Sequence, residues 1–461
     1  MSFTRGFLAA RSHLAFLLGL ALALGVVWLV NRSMPQAQGG SPKDPATVTP
    51  AFTQALALPK DALPLRPPAA ELSPRERRWA EAAWSYFQNN TRPETGLADS
   101  VKGYPSTTLW DTGSQLMGIL SAEELGLVSA EESSKLLSRA LTSLERMPLC
   151  EGKLPNRAYD TRTLVMVDYT NKPITQCLGW SALDVARIGV PFSVLVWRKP
   201  ELTAQVRRIT AAWKLEAAAG NGVLVGTSRT KAGALEPLQE GRFGYEQYGA
   251  KSLLLLGLDV AEALDYGAHV AFTPVSGQPI AHDRRMPAQY GGTHNAVLSE
   301  PYVLEGAEFG FDSVTLPVSR ALLLAQRKRF EATGKLTAVS EDHLDKAPYF
   351  VYSSVLSGGV PWAVFTPEAK PAEAFRTLST KAALGWGVLF EGPYPDRLLE
   401  ALDAVVEPGQ GLYAGIYESD GSVNRALTAN TNGIVLELSA YRLRGPWLRA
   451  ARMAPAGEGS R

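Results

Sequence analysis

The sequence predicts a mainly α-helical domain built as a two-layer ring of helices. Capping signals open helix after helix from Ser73 onward, the apolar residues recur at helical spacing, and no sustained alternation of strand and helix calls for a parallel sheet. About twelve helical segments are readable, joined by short turns, with minor strands at the loops. A ring lets so many helices in one long domain bury their most apolar members inside.

Ser73, Pro74 and Glu76 form an N-cap, a proline at the first helical position and a capping box, opening a helix with Trp79, Ala83, Tyr86 and Phe87 on one face. TGLADS, containing Asp99, precedes STTLWDTGS, where a loop delivers Trp110 and Asp111 to a second helix. Ser129 with Glu132 opens a third, running to about Met147. TRTLVMVDY, within the stretch from Cys150 to Cys177, reads as a strand in an insertion. GWSALDVARIGVPFSVLVW and Pro200 to Lys214 are helical, and Gly222 to Thr227 is a short strand. Gly220 and Gly222 follow helix and precede strand, the wrong order for a dinucleotide fingerprint.

GRFGYEQYGAKSLLLLGLD, Gly241 to Asp259, brings Arg242, Tyr245, Glu246 and Tyr248 to the mouth of an apolar helix that is expected to extend through Leu264. A glutamate there is also favoured simply by the helix macrodipole. Val270 to Ala296 is a loop-rich excursion; Pro301 to Phe309, containing Glu308, and Ser313 to Glu331 restore helices. Pro371 to Phe390 and Asp396 to Val406 are helical again, and a turn at Asp420 and Gly421 precedes a last helix from about Asn432 that carries Glu437.

Lysine plus arginine (46) nearly equals aspartate plus glutamate (45), so the charge does not call for a nucleic-acid partner. Two cysteines and five scattered histidines give no familiar zinc spacing, so neither a metal nor a cofactor is expected. Residues 1–13 read as a cytoplasmic N-terminus. Residues 14–31, LAFLLGLALALGVVWLVN, read as a transmembrane signal anchor, with Arg5 and Arg11 keeping the N-terminus inside; the alternative is a cleaved signal that releases the body. Either way the body is exported, to the periplasmic side of the inner membrane or beyond. There Cys150 and Cys177 are expected to pair, although sequence alone also allows two buried free thiols. Residues 32–72 are proline-rich and read as a linker, residues 73–449 as the folded domain and residues 450–461 as a disordered tail.

With LPNRAYDTRTL, GWSALDVAR, GYEQYGAKSLLLLGL and NTNGIVLELSAYR in view, the chain resembles a bacterial exported family of unknown function, related to the glycoamylase-like domain of cyclic β-glucan synthases. The resemblance spans about Ala80 to Arg444. It implies an (α/α)6 toroid and an activity toward polysaccharide, with paired acidic residues doing the work and Glu246 as the candidate acid. Two carboxyl groups with different proton affinities are what glycoside cleavage requires. Asp111 is the second candidate, although an aspartate at a helix start is also a good cap. Asp99 and Glu308 are reserves, while Glu300 and Glu305 read as helix-terminal charges. Trp110, Trp180, Tyr245, Tyr248, Trp386 and Tyr413 offer apolar platforms with polar edges for sugars, and Arg242 is placed to hold an anionic group or pair with Glu246. The expected activity is that of a glycoside hydrolase or transglycosylase on an exported β-glucan or exopolysaccharide. The rival is a catalytically silent glycan-binding or scaffold subunit of a polysaccharide synthesis complex.

Overall fold

A computed structural model describes residues 63–287 and 292–449. The anchor and tail readings, residues 14–31 and 450–461, fall outside the described residues, among which no helix is long and apolar enough to cross a membrane.

Eleven α-helices and short antiparallel strands make up the described chain. Six helices form an inner ring: α2 (Leu109–Glu124), α4 (Ala182–Arg198), α6 (Tyr245–Leu255), α7 (Glu300–Leu304), α9 (Thr380–Leu389) and α11 (Ala429–Arg444). Each packs on the next, and α11 closes on α2. They are apolar nearly all round, as helices buried between neighbours must be; every residue of α9 is buried. Five outer helices precede inner ones in the chain: α1 (Pro74–Asn90), α3 (Ala130–Arg146), α5 (Thr203–Ala212), α8 (Thr315–Thr333) and α10 (Pro393–Ala401). Among the described residues, the outer position between α6 and α7 holds no α-helix. The connection there is a turn-rich stretch and an antiparallel hairpin, Val270–Val275 with Gln278–Asp283, whose second strand packs on α8.

Ser73 caps α1 as expected: its hydroxyl accepts from Glu76 N–H, and the Glu76 carboxylate accepts from Ser73 N–H at 2.8 Å. Close approach of α11 to α2 requires a glycine, since a Cβ on Gly433 would strike the Ser114 carbonyl. Past Leu304, a turn of π-helix, Glu305–Phe309, extends α7.

Four expectations are corrected. TRTLVMVDY is not a strand: the Asp160 carboxylate accepts the backbone N–H groups of Arg162 (2.8 Å) and Thr163 (3.1 Å), winding the chain into a turn with only isolated bridges. Leu258 to Leu264 does not extend α6, which stops at Leu255 before Gly257 takes a φ of +85°. Pro371 to Ser379 is not α-helical, its one helical piece being a short 3-10 turn, Glu373–Phe375. Thr377–Ser379 instead pairs with Gly411–Tyr417. The linker does not reach Leu72 as a free tether: Leu63 is buried, the Arg66 guanidinium donates to the Gly387 carbonyl at 2.8 Å and pairs with Asp396, and Ala69 N–H donates to the Arg442 carbonyl at 2.6 Å. Prolines suit this strap because an extended segment on the surface needs few backbone donors.

Cys150 and Cys177 are joined, with Cα atoms 5.4 Å apart, pinning the insertion at the start of α4.

Candidate functional site

The inner helices present their N-terminal ends to one mouth of the ring, and one carboxylate ties four of those starts together. Glu300, at the first turn of α7, accepts from Trp110 Nε1 of α2 at 3.0 Å and from Asn430 Nδ2 of α11 at 3.2 and 3.3 Å, and it pairs with Lys381 of α9. Glu300 is 1 % exposed, so it serves as the floor of the mouth. The half-buried Trp110 ring above it meets the Tyr245 ring of α6 edge-on, with centroids 5.5 Å apart. Tyr245 in turn donates its hydroxyl to Glu341.

Glu341 and His343 lie on the half-exposed face of the strand Glu341–His343, while Asp342 points inward to the hydroxyls of Thr377 (2.9 Å) and Ser379 (3.0 Å). Burial raises the Glu341 pKa against the opposing charge of Lys381, and burial likewise raises Asp342, to about 7. For Lys381 burial favours the neutral amine, but Glu300, Glu341 and Asp342 outweigh it and keep the ammonium firmly charged. Burial lowers the His343 pKa, with Asp111 pulling the other way.

On the opposite side of the mouth, the first turn of α4 carries Asp184. Ser181 caps this helix, its hydroxyl accepting from Asp184 N–H at 3.2 Å and donating to Glu240 at 2.8 Å. Glu240 also receives Arg157 at 2.8 Å. Burial first, and then the negative charge of Glu240, lift Asp184 to about 7. An aspartate in a first helical turn is ordinarily held low by the macrodipole, so the direction is a property of this site.

The expected residues divide among several places. Asp111, Trp110 and Tyr245 come together at the mouth. Asp111 is not itself the cap: Thr108 caps α2, its hydroxyl accepting from Asp111 N–H at 3.1 Å, and the Asp111 carboxylate accepts from Ser100 (2.5 Å) and Thr108 (2.8 Å). Glu246 sits one residue beyond Tyr245, yet both of its oxygens are engaged. Gln239 donates to Oε1 at 2.8 Å and the Arg285 guanidinium spans Oε1 and Oε2. Burial raises the Glu246 pKa while Arg285 opposes it. Arg242 donates to Gln239 at 2.6 Å and to the Gly241 carbonyl at 2.5 Å, and its charge acts on Glu246.

Asp99 is buried against Arg92 and accepts from Thr161 at 2.6 Å. Glu308 and Glu437 lie deep along the ring with Arg187 between them; Tyr248, also fully buried, accepts from Arg187 at 3.0 Å. Glu305 pairs with Lys251. Trp180 and Trp386 are core residues, their indole N–H groups donating to the Ala217 carbonyl at 3.2 Å and to Ser299 at 3.0 Å. Tyr413 is half-buried and donates to Glu407 at 2.9 Å.

Sequence reasoning missed Asp184, Glu240, Arg157, Glu341, His343 and Lys381. The run Glu341, Asp342, His343 was a visible signal: three titratable residues in succession put two on the same face of any strand.

The chain belongs to the family described as "Protein of unknown function (DUF3131)", which matches residues 78–445. No curated protein matches it. Among solved structures it is similar to an endo-beta-1,2-glucanase from Chitinophaga pinensis in complex with sophorotriose and glucose, with a TM-score of 0.59, 13% identity, and 82% of this chain and 94% of that one covered. It is also similar to a putative glucoamylase from Bacteroides caccae, with a TM-score of 0.55, 15% identity, and 81% and 94% covered. An endo-beta-1,2-glucanase from Talaromyces funiculosus with sophorose gives a TM-score of 0.53, 11% identity, and 81% and 84% covered. These likenesses establish the glucoamylase-like helical fold.

Proposed function

We propose that this protein is a glycoside hydrolase or transglycosylase acting at the mouth of the ring on a bacterial β-glucan or exopolysaccharide. The observation that carries this reading is the convergence of Asp111, Asp184 and Glu341 with the Trp110 and Tyr245 rings over the buried Glu300 floor. Carboxyl groups in unlike surroundings supply the acid and the base of glycoside cleavage, and rings beside them give the sugar an apolar platform. The similarity in fold to structures described as β-1,2-glucanases and glucoamylase supports the substrate class.

In this reading Asp111 is a member of the carboxylate pair and Glu246 holds the loop of Arg285 in place. The remaining candidates, Asp99, Trp180, Arg242, Tyr248, Glu308, Trp386 and Tyr413, support or border the site. Residues 14–31 anchor the domain in the inner membrane with its body in the periplasm. Clamping of both Glu246 oxygens favours the second reading, a silent glycan-binding subunit of a polysaccharide synthesis complex.

Incubation of the purified protein with linear β-1,2-, β-1,3-, β-1,4- and β-1,6-glucans and bacterial exopolysaccharides tests both. New reducing ends or a changed chain-length distribution support the enzyme. Saturable binding without product favours the binder, and neither binding nor product sinks both.

A further inference from the structure

The mouth holds three carboxylic acids, the buried Asp111 and the half-buried Asp184 and Glu341, and they differ in what surrounds them. Asp111 receives two hydroxyl donors, from Ser100 and Thr108. Glu341 receives the hydroxyls of Tyr245 and Ser340, the latter at 3.0 Å, with the Lys381 ammonium close by. The Lys381 charge opposes burial at Glu341 without overcoming it, so the Glu341 pKa is raised. Asp184 stands apart. The cation whose charge acts on it, Arg157, is already engaged by Glu240, which accepts its Nη2–H at 2.8 Å. Asp184 is left with Ser181 as its side-chain hydrogen-bond partner, two like charges (Glu240 and Asp111) and a half-buried position open to the mouth.

Resting on the reading of the mouth as a glycan-cleaving site, we propose that Asp184 is its proton donor and that Glu240 is the positioning residue that keeps Asp184 protonated. As the bond from the anomeric carbon to the glycosidic oxygen breaks, its electron pair goes to that oxygen and the Asp184 proton follows. The vacated carbon takes the oxygen of water, or of an acceptor hydroxyl in transglycosylation, and that nucleophile's proton passes to the second carboxylate, Asp111.

The groups facing Asp184 account for its state at neutral pH. Glu240 approaches from the loop before α6, Asp111 from α2 and Arg157 from the insertion, with the exposed Tyr169 beside Arg157. Burial and the two carboxylates outweigh Arg157 and the Ser181 hydrogen bond, leaving the acid titrating at about 7. A donor must be protonated to act, so turnover falls as pH rises through that value.

The test uses the β-glucan that the wild type turns over. Asp184→Asn is expected to lower kcat by about a hundred to ten thousand-fold with glycan binding retained. Glu240→Gln is expected to move the alkaline limb of the kcat/KM profile to lower pH, because removing its charge makes Asp184 easier to ionise; a purely structural Glu240 leaves the limb where it was. If Glu240→Gln does not fold, carbon-13 carboxyl NMR of the wild type, with the Asp184 signal assigned by its loss in Asp184→Asn, gives the same answer through a midpoint near 7. A midpoint in the ordinary aspartate range, or undiminished turnover by Asp184→Asn, overturns the assignment and leaves the glycan-cleaving reading in place. A wild type that cleaves no glycan at any pH overturns both.

Discussion

A carboxylate clamped on both oxygens by a guanidinium and an amide has little to offer a leaving group, and that is the condition of Glu246. In the proposed reading its part is structural: with Asp283, it holds Arg285 in a pocket where the two carboxylates and the guanidinium are almost wholly buried. Removing one partner of a buried pair leaves the other charge without compensation, at about 3 to 5 kcal/mol. Glu246→Gln is therefore expected to lower the thermal midpoint clearly, as read by circular dichroism, and Glu246→Gln with an unchanged midpoint would restore it as the candidate acid. Asp111→Asn, by contrast, keeps an oxygen for the Ser100 and Thr108 hydroxyls to reach, and its cost is expected to fall on turnover more than on stability. Comparing the melting curve and the specific activity of the two variants separates the roles. At this scale the sequence showed which residues sit at helix starts, because caps and rings are local signals. Glu300, in contrast, read as a plain terminal charge, because its partners Trp110, Lys381 and Asn430 are brought to it only by closure of the ring. Asp184 was masked in another way: three residues after Ser181, it looks like an ordinary first-turn aspartate.

Element by element, the inner helices were legible where they are longest and most apolar, and the misreadings have local causes. The missing outer helix between α6 and α7 was hidden because Val270–Val275 and Gln278–Asp283 each carry a proline, which blurs the strand pattern. Pro371 to Ser379 passed for helix until Thr377–Ser379 found its partner in Gly415–Tyr417, a pairing no local window contains. The insertion before α4 is the element most dependent on covalent support, since its strands are two residues long. A bridge closing a loop of 27 residues' separation is expected to contribute about 2 to 4 kcal/mol. Replacing both Cys150 and Cys177 by serine should lower stability by that order in denaturant titration, and it should loosen Arg157, which lies inside the loop, before it loosens the ring. Faster hydrogen exchange confined to residues 150–177 is the expected signature, and uniform exchange across the ring would contradict it.

For the whole molecule, the boundary and the acid–base balance both follow from what the ring buries. A chain starting at Ser73 loses Leu63, Arg66 and the backbone bonds of the strap to α9 and α11, so it should melt below one starting at Leu63; equal midpoints would return the strap to the status of a free linker. The pH dependence is set by two groups of acids. Asp283, Asp312 and Glu418 are each disfavoured as anions by burial, but their cationic partners outweigh it, and Asp312 falls to about 2. Depressed acids contribute stability that is present above their ordinary pKa and lost as pH falls through the folded value. Asp184 and Asp342 behave in the opposite way. With folded values of about 7 against an ordinary 3.8, the native chain binds more protons than the unfolded one across that interval, so stability declines as pH rises from about 4 to about 7 and levels off above. Glu308, pushed well up by burial beside Glu437 despite Arg187, adds to the same slope. The two groups together place maximal stability in the acidic range, at the lower end of the interval from about 4 to about 7. Asp342→Asn removes one of the raised acids without touching the mouth's open face, and the decline of the thermal midpoint between pH 5 and pH 8 should become shallower in this variant than in the wild type. A wild-type midpoint that rises steadily to pH 8, or an Asp342→Asn curve parallel to the wild type, would show that the buried acids do not keep their protons in the fold.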